Sequence, residues 1–221
     1  MEKGKGASGA MSQDQILSSV KDQELIEKRR SQMIKGAVTL FKEKGFHRTT
    51  TRELAKEAGF SIGTLYEYIR KKEDVLFLVC DSIYEQVRER LELAIDLENP
   101  SIHNLVTVIK SYFHLMDDMQ EEILIMYQEV KSLKKESKDY VLKKERDMVG
   151  MLERVIITCL PDNVSEQDAV LLANNIFIQG QMWGFRRWML QRQFTLEEYI
   201  DRQIHFLLQA MAIDTEYDQT V

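Results

Sequence analysis

Apolar residues recur at helical spacing along most of the chain. From about Asp22 to Lys44 they fall three, four or seven residues apart, on one face of a helix. Asn99-Pro100 and the run Pro161-Asp162-Asn163 are the clearest breaks. The same period predicts longer helices at about 73–97, 101–118, 120–135, 138–160, 166–192 and 196–212. With two short helices described next, the pattern predicts an all-α protein of about nine helices.

Two short helices joined by a tight turn are predicted after the first helix. Thr50 and Glu53 have the spacing of a capping box, in which Glu53 reaches back to the backbone of the N-cap residue Thr50. Gly59 ends that helix, and Ser61 is placed to cap the next, at about 62–69. This order predicts a helix-turn-helix, a motif that inserts its second helix into the major groove of DNA.

Charge is distributed unevenly along the chain. The net charge of −6 by itself disfavours a nucleic-acid partner. Residues 21–72, however, carry thirteen Lys and Arg against seven Asp and Glu, whereas residues 73–221 carry fifteen against twenty-seven. The basic segment contains the helix-turn-helix, which indicates that only this part contacts a polyanion, although a solvated basic face would give the same count.

The run from residue 49 to residue 76 reads TTTRELAKEAGFSIGTLYEYIRKKEDVL. It resembles the N-terminal signature of the TetR family of bacterial transcriptional regulators, with Ile69 where the family usually has Phe. The first helix also matches, at Ala37, Phe41, Gly45 and Phe46. The resemblance is specific over about 28–77. It implies a three-helix DNA-binding head followed by a larger helical body for ligand binding and dimerisation.

The resemblance also implies which residues contact DNA. Free backbone N–H groups at the start of the second short helix attract phosphate, and Gly63 there lets DNA approach the backbone. The hydroxyl groups of Thr64, Tyr66 and Tyr68 suit sugar and phosphate oxygens. Packing inside the head is the alternative for Tyr66 and Tyr68. The expected DNA contacts are Arg52, Ile62, Gly63, Thr64, Tyr66, Tyr68 and Lys72.

About 140 residues follow the head. We predict a flexible tail at 1–20, a DNA-binding domain at 21–72, and a ligand-binding and dimerisation domain at 73–215. Large, mostly apolar side chains on the central helices are candidates for the ligand site, although core packing is the simpler explanation at any one position. These candidates are Tyr112, Phe113, Met116, Met126, Tyr127, Met151, Phe177, Gln181 and Arg186.

The last two predicted helices are the candidate dimer interface. By resemblance they form a four-helix bundle with a second copy; packing within one chain is the alternative. The residues expected on this face are Leu171, Asn174, Ile178, Met182, Phe185 and Met189. Arg186 and Arg187, between two tryptophans, could bind an anionic group such as that of a fatty acyl-CoA, or form cation–π contacts and salt bridges at the interface.

No sequence pattern indicates catalysis, a cofactor or a metal site. The four His residues have no metal-ligand spacing, the two Cys residues form no CxxC pair, and nucleotide-binding and hydrolase motifs are absent. The chain has no run of about 18 apolar residues and no N-terminal signal core, which argues against a membrane partner and favours the cytoplasm. The sequence therefore predicts a protein that is not an enzyme.

The predicted function is that of a ligand-responsive repressor. As a homodimer it would bind a palindromic operator in double-stranded DNA. A small apolar or amphipathic effector, with a fatty acyl-CoA as one candidate, would bind the body and release the DNA. The alternative is a helical protein-interaction module whose head does not bind DNA.

Overall fold

The computed structural model describes residues 23–160 and 164–211, and these residues form ten α-helices and no β-strand. The all-α prediction is confirmed, and the predicted tail at 1–20 lies outside the described residues. The helices are α1 (Gln23–Lys44), α2 (Thr51–Glu57), α3 (Ile62–Tyr68), α4 (Lys72–Ala94), α5 (Ile102–Asp118), α6 (Gln120–Glu129), α7 (Lys135–Cys159), α8 (Glu166–Phe185), α9 (Arg187–Leu190) and α10 (Leu196–Ala210).

Two of the predicted helices end earlier than their sequence pattern suggests. The helix expected at 120–135 ends at Glu129, and a single 3-10 turn, Val130–Ser132, leads into α7. The helix expected at 166–192 is divided at Arg186, whose backbone leaves the helical region at φ −108° and ψ 22°. Neither break contains Gly or Pro, so the helical period continues through both and gives no signal of them.

Hydroxyl side chains begin five of the helices. Each accepts a hydrogen bond from the backbone N–H three residues later, which satisfies one of the free donors at a helix start. These N-cap residues are Thr50, Ser61, Ser101, Ser165 and Thr195. At α2 the predicted capping box is present, and Glu53 also forms an ion pair with Lys44 of α1. These bonds to Lys44 and Thr50 lower the pKa of Glu53 to about 2.

The chain divides into two compact units. Of the described residues, unit one comprises 23–82 and 125–144, and unit two comprises 83–124, 145–160 and 164–211. The predicted DNA-binding and effector domains were defined by function rather than by packing. The two compact units do not test these functions, so that division stays a prediction. No helix in the described part of the chain has the length and hydropathy needed to cross a membrane.

Unit one is organised around α1, α2 and α3. Phe41 and Phe46 pack edge to face with ring centroids 5.3 Å apart, and Leu65 of α3 is fully buried. Gly36 lets α1 approach α2 closely, since a Cβ there would lie 3.1 Å from the backbone nitrogen of Ala58. Gly59, at φ +77°, makes the sharp turn that separates α2 from α3.

The core of unit two lies between α5 and α8. The rings of Tyr112 and Phe177 stack at 5.6 Å, and the Tyr112 hydroxyl donates to the Phe177 carbonyl oxygen at 2.9 Å. Helix α10 also packs against α5, where the Tyr199 and Phe113 rings stack with centroids 6.0 Å apart. Aromatic stacking therefore fixes three helices of this unit against one another.

Candidate functional site

The helix-turn-helix is formed by α2, the turn at Gly59 and α3. The Ser61 Oγ atom accepts from the Thr64 backbone N–H at 3.0 Å and lies 2.9 Å from the Thr64 hydroxyl. The Thr51 hydroxyl of α2 lies 3.1 Å from the Tyr66 hydroxyl of α3. These contacts hold the start of α3 in a fixed orientation, so that the exposed side chains of both helices form one surface.

Most of the predicted DNA contacts lie on that surface. Arg52, Ile62 and Tyr66 are exposed, with Tyr66 at 52%, and Thr64 is half-buried. Gly63 is exposed too, and among the described residues a Cβ added there would meet only the Ser61 Oγ atom, at 3.6 Å. Packing within the protein therefore does not require a glycine at this position, whereas a close approach by DNA would.

The structure places Tyr68 and Lys72 differently from the other predicted contacts. Tyr68 is only 2% exposed and packs in the interior of unit one. The Lys72 ammonium donates to the carbonyl oxygens of Phe46 and His47, at 2.9 and 3.2 Å, and lies 4.4 Å from the centre of the Phe46 ring. Tyr68 thus supports the surface from beneath, and Lys72 joins α4 to the loop between α1 and α2.

Sequence reasoning passed over one basic residue, Arg48. Arg48 is exposed just before α2, and its Nε atom donates to the Lys44 carbonyl oxygen at 2.7 Å. Of the arginines in α1, Arg30 is buried, whereas the Arg29 guanidinium lies 4.7 Å from the centre of the Phe60 ring. The position of Arg48, two residues before the capping box, was the available signal.

The candidate effector residues do not form one group. In unit two, four candidates on α5 and α8 are buried, and Met151 of α7 is half-buried. The four are Tyr112, Phe113, Met116 and Phe177. Gln181 is 3% exposed, and its side-chain oxygen has no hydrogen-bond partner among the described residues. Two further candidates belong to unit one, Met126, which is buried, and Tyr127, which is 47% exposed.

The two arginines after α8 have separate environments. Arg187 forms a 2.6 Å ion pair with Glu121 of α6. Arg186 is exposed, and its guanidinium lies 5.3 Å from the centre of the exposed Trp188 ring. Both contacts lie within one chain, and they leave Arg186 outside the interior of unit two.

An apolar strip is exposed on α8 and α10. Leu171 and Ile178 of α8 and Phe206 of α10 are each exposed by 45% or more of their surface. Among the other residues predicted for the dimer face, Asn174 is exposed, and Met182, Phe185 and Met189 are half-buried. Large apolar side chains exposed together are typical of a protein–protein contact.

The described residues hold no group of three or more His, Cys, Asp or Glu side chains placed to bind a metal ion. Burial raises the pKa of the Cys80 thiol to about 12, so this thiol is protonated at neutral pH and is a weak nucleophile.

Comparison with known proteins supports the assignment of the helix-turn-helix. Residues 33–79 match the family model of bacterial regulatory proteins of the tetR family. The HTH-type transcriptional regulator HbdR of Aromatoleum sp. (strain CIB) is 26% identical over 199 residues, which cover 90% of this chain and 87% of HbdR. The fatty acid metabolism regulator protein of Bacillus subtilis is 34% identical over 85 residues, 38% of this chain and 44% of that protein.

The fold is also similar to that of AibR, solved in complex with isovaleryl coenzyme A and operator DNA. The TM-score is 0.67 at 19% identity, and the match covers 80% of this chain and 97% of AibR. The relatives named here are regulators rather than enzymes. The family match and the helix-turn-helix assign residues 33–79 to the DNA-binding domain of the TetR family of bacterial regulatory proteins, and the HbdR match over most of the chain and the all-α fold agree with this assignment.

Proposed function

We propose that this regulator is a repressor that binds a palindromic operator as a homodimer and leaves it when an amphipathic acyl compound binds unit two. The observation that carries the DNA-binding part is the exposed surface around Gly63, where a glycine serves no packing need within the protein. Arg52, Ile62, Thr64 and Tyr66 surround this point and supply the contacts. Bacterial operator DNA lies in the cytosol, and we propose that location for the protein.

Lys72 and Tyr68 have supporting roles in this proposal. Two of the three ammonium N–H groups of Lys72 are used by the carbonyl oxygens of Phe46 and His47. The third is available for a phosphate oxygen, so Lys72 would bind DNA and hold the loop together. Tyr68 is buried beneath the surface, and we propose that it sets the orientation of α3 rather than contacting DNA.

The exposed apolar strip of α8 and α10 is the proposed dimer interface. A second copy would cover Leu171, Ile178 and Phe206 through the same surface on both chains, as a twofold axis requires. A twofold dimer presents two copies of α3, and these fit two half-sites about 34 Å apart on one face of DNA. The operator is therefore expected to be palindromic.

An acyl compound is the effector class that the relatives support. The B. subtilis relative is named as a regulator of fatty acid metabolism, and the AibR complex contains isovaleryl coenzyme A together with operator DNA. The aromatic and aliphatic side chains in the interior of unit two suit an acyl chain. The proposed effector is therefore an acyl compound, without a specified chain length.

Helix α6 provides a route by which effector binding could reach the DNA-binding surface. At its start, in unit two, Glu121 is paired with Arg187 and Gln120 bonds to Gln191 at 3.0 Å. At its end, in unit one, Glu129 lies 3.5 Å from the Nε2 atom of His47, in the loop that Lys72 also contacts. A shift of α6 caused by the effector would thus move this loop, provided that the effector favours one of the two states.

The contribution of Arg52 can be measured as a salt dependence. Arg52→Gln removes one exposed charge from the surface, and we expect operator affinity to fall about tenfold and the slope of log affinity against log salt to decrease by about 1. Lys143→Gln removes one positive charge from an exposed position of α7. This variant is the matched control and should bind the operator normally. Equal affinities for the two variants would remove Arg52 from the contact surface.

The proposed function as a whole can be tested on a palindrome selected from random DNA by the purified protein. Fluorescence anisotropy should show binding of two chains per palindrome, and saturating isovaleryl-CoA or decanoyl-CoA should weaken it by about a hundredfold or more, which corresponds to a coupling of roughly 2.7 kcal/mol. Coenzyme A alone is the control and should leave the affinity unchanged.

Two results would contradict this proposal. A protein that selects no DNA sequence would favour the alternative, an interaction module without DNA binding, for which no comparison offers support. Release by coenzyme A alone would show that the acyl group is not what the body recognises. Native mass spectrometry of the protein as purified would show directly whether it is a dimer.

A further inference from the structure

The side chain of Gln181 is a polar group held in an apolar interior. It lies on α8, is 3% exposed, and its Oε1 atom has no hydrogen-bond partner among the described residues. Buried acceptors in folded proteins are nearly always bonded. The unbonded Oε1 atom of Gln181 on α8 therefore needs a physical explanation.

The neighbouring donors are bonded to other groups. The Tyr112 hydroxyl donates to the Phe177 carbonyl oxygen at 2.9 Å, one turn before Gln181 on the same helix. The indole N–H of Trp183, two residues after Gln181, donates to the Asp117 carboxylate at 2.6 Å. On the buried face of α8, Gln181 thus lies between the aromatic stack at Phe177 and the close contact of Gly184 with Gln120.

An acceptor in this position destabilises the ligand-free protein, because it has lost its bonds to water and gained none. A leucine of similar size would avoid that loss. The amide is useful where another molecule supplies the missing donor, since a site built around a hydrogen bond discriminates strongly against ligands that cannot form it.

We propose that the interior of unit two at Gln181 of α8 binds an apolar molecule that carries a hydrogen-bond donor, an amide N–H or a hydroxyl, and that the Gln181 Oε1 atom accepts from that donor. This inference rests on the proposed function, because the molecule is the effector. It also narrows the effector class. An ionised fatty acid has no donor, whereas an acyl-CoA carries amide N–H groups in its pantetheine arm beside the acyl chain.

Two probes of equal chain length isolate the hydrogen bond. Decanamide has an N–H donor and methyl decanoate has none, and binding of each to the DNA-free protein can be followed by the fluorescence of Trp183 and Trp188. We expect the unaltered protein to bind decanamide about ten times more tightly than the ester. Gln181→Leu should bind both probes equally, and without ligand it should melt at a higher temperature than the unaltered protein.

Gln179→Leu is the matched control, because it makes the same substitution two residues earlier on α8, at a half-buried position. It should keep the tenfold preference for the amide. A preference that persists in Gln181→Leu would overturn the proposal, as would a lowered melting temperature, which would mean that the amide is already bonded in the interior. Both readouts separate a ligand contact from a purely structural role.

The probe-binding experiment on Gln181 and the operator experiment can fail independently of each other. If the unaltered protein binds neither probe while decanoyl-CoA still releases the operator, the assignment of Gln181 is wrong and the proposed function stands. If the amide preference is found and depends on Gln181, but no acyl compound changes operator affinity, the binding site is real and the effector role of acyl compounds is wrong.

Discussion

Gly63→Leu is expected to abolish specific operator binding while the protein remains folded. The added side chain has open space within the protein, because even its first carbon would contact only the Ser61 Oγ atom, at 3.6 Å. It would project from the first turn of α3, where the backbone must come close to DNA. Loss of two or more contacts at that point corresponds to about a hundredfold or more in affinity, roughly 2.7 kcal/mol.

The control for this experiment is Gly150→Leu. Gly150 of α7 is also unconstrained by packing, with the Arg154 guanidinium as its nearest neighbour at 3.8 Å, and it lies in unit two. Both variants should show unchanged helix content by circular dichroism, and only Gly63→Leu should lose the operator in anisotropy titrations. Operator affinity close to that of the unaltered protein would mean that the start of α3 does not face DNA.

The helix-turn-helix could be predicted because its signals are local. Thr50 and Ser61 cap helices through bonds that span three residues, and Gly59 makes the turn between them. The sequence also contains a signal for the burial of Tyr68. Tyr68 follows the fully buried Leu65 by three residues, which places both on one face of a helix, whereas the exposed Tyr66 follows Ile62 by four.

The end of α8, the bonds of Lys72 and the environment of Gln181 could not be predicted, because they depend on contacts between residues far apart in the sequence. The end of α8 coincides with the pair between Arg187 and Glu121 and with the bond from Trp183 to Asp117, each spanning 66 residues. Lys72 bonds to carbonyl groups 25 and 26 residues earlier. Gln181 was a candidate from its residue type alone, and the lack of a partner for its Oε1 atom appears only once the helices are packed.

Gly180→Ala is expected to destabilise the protein, although alanine normally stabilises a helix relative to glycine. A Cβ at this position of α8 would lie 2.5 Å from the Cε1 atom of Tyr112 and 3.1 Å from the Cγ atom of Met116. The Tyr112 ring cannot turn away easily, because it is fully buried and its hydroxyl is bonded to the Phe177 carbonyl oxygen. Overpacking of this kind costs about 1–3 kcal/mol.

Gly150→Ala makes the same substitution at a position with open space, and the change in stability should have the opposite sign. It should stabilise the protein by up to about 1 kcal/mol, whereas Gly180→Ala should lower the melting temperature by several degrees, at roughly 2–4 °C per kcal/mol for a chain of this size. Equal and favourable shifts in both variants would show that α5 and α8 have room between them at Gly180.

The source of the strain at Gly180 can be located by a double-mutant cycle. Tyr112→Leu removes the ring carbon closest to the new methyl group, so Gly180→Ala should cost much less in that background than in the unaltered protein. Thermal unfolding of the four proteins measures this coupling. A cost that stays the same in the Tyr112→Leu background would place the strain at Met116, whose flexible side chain can yield, and the aromatic stack would then not be what fixes α8 against α5.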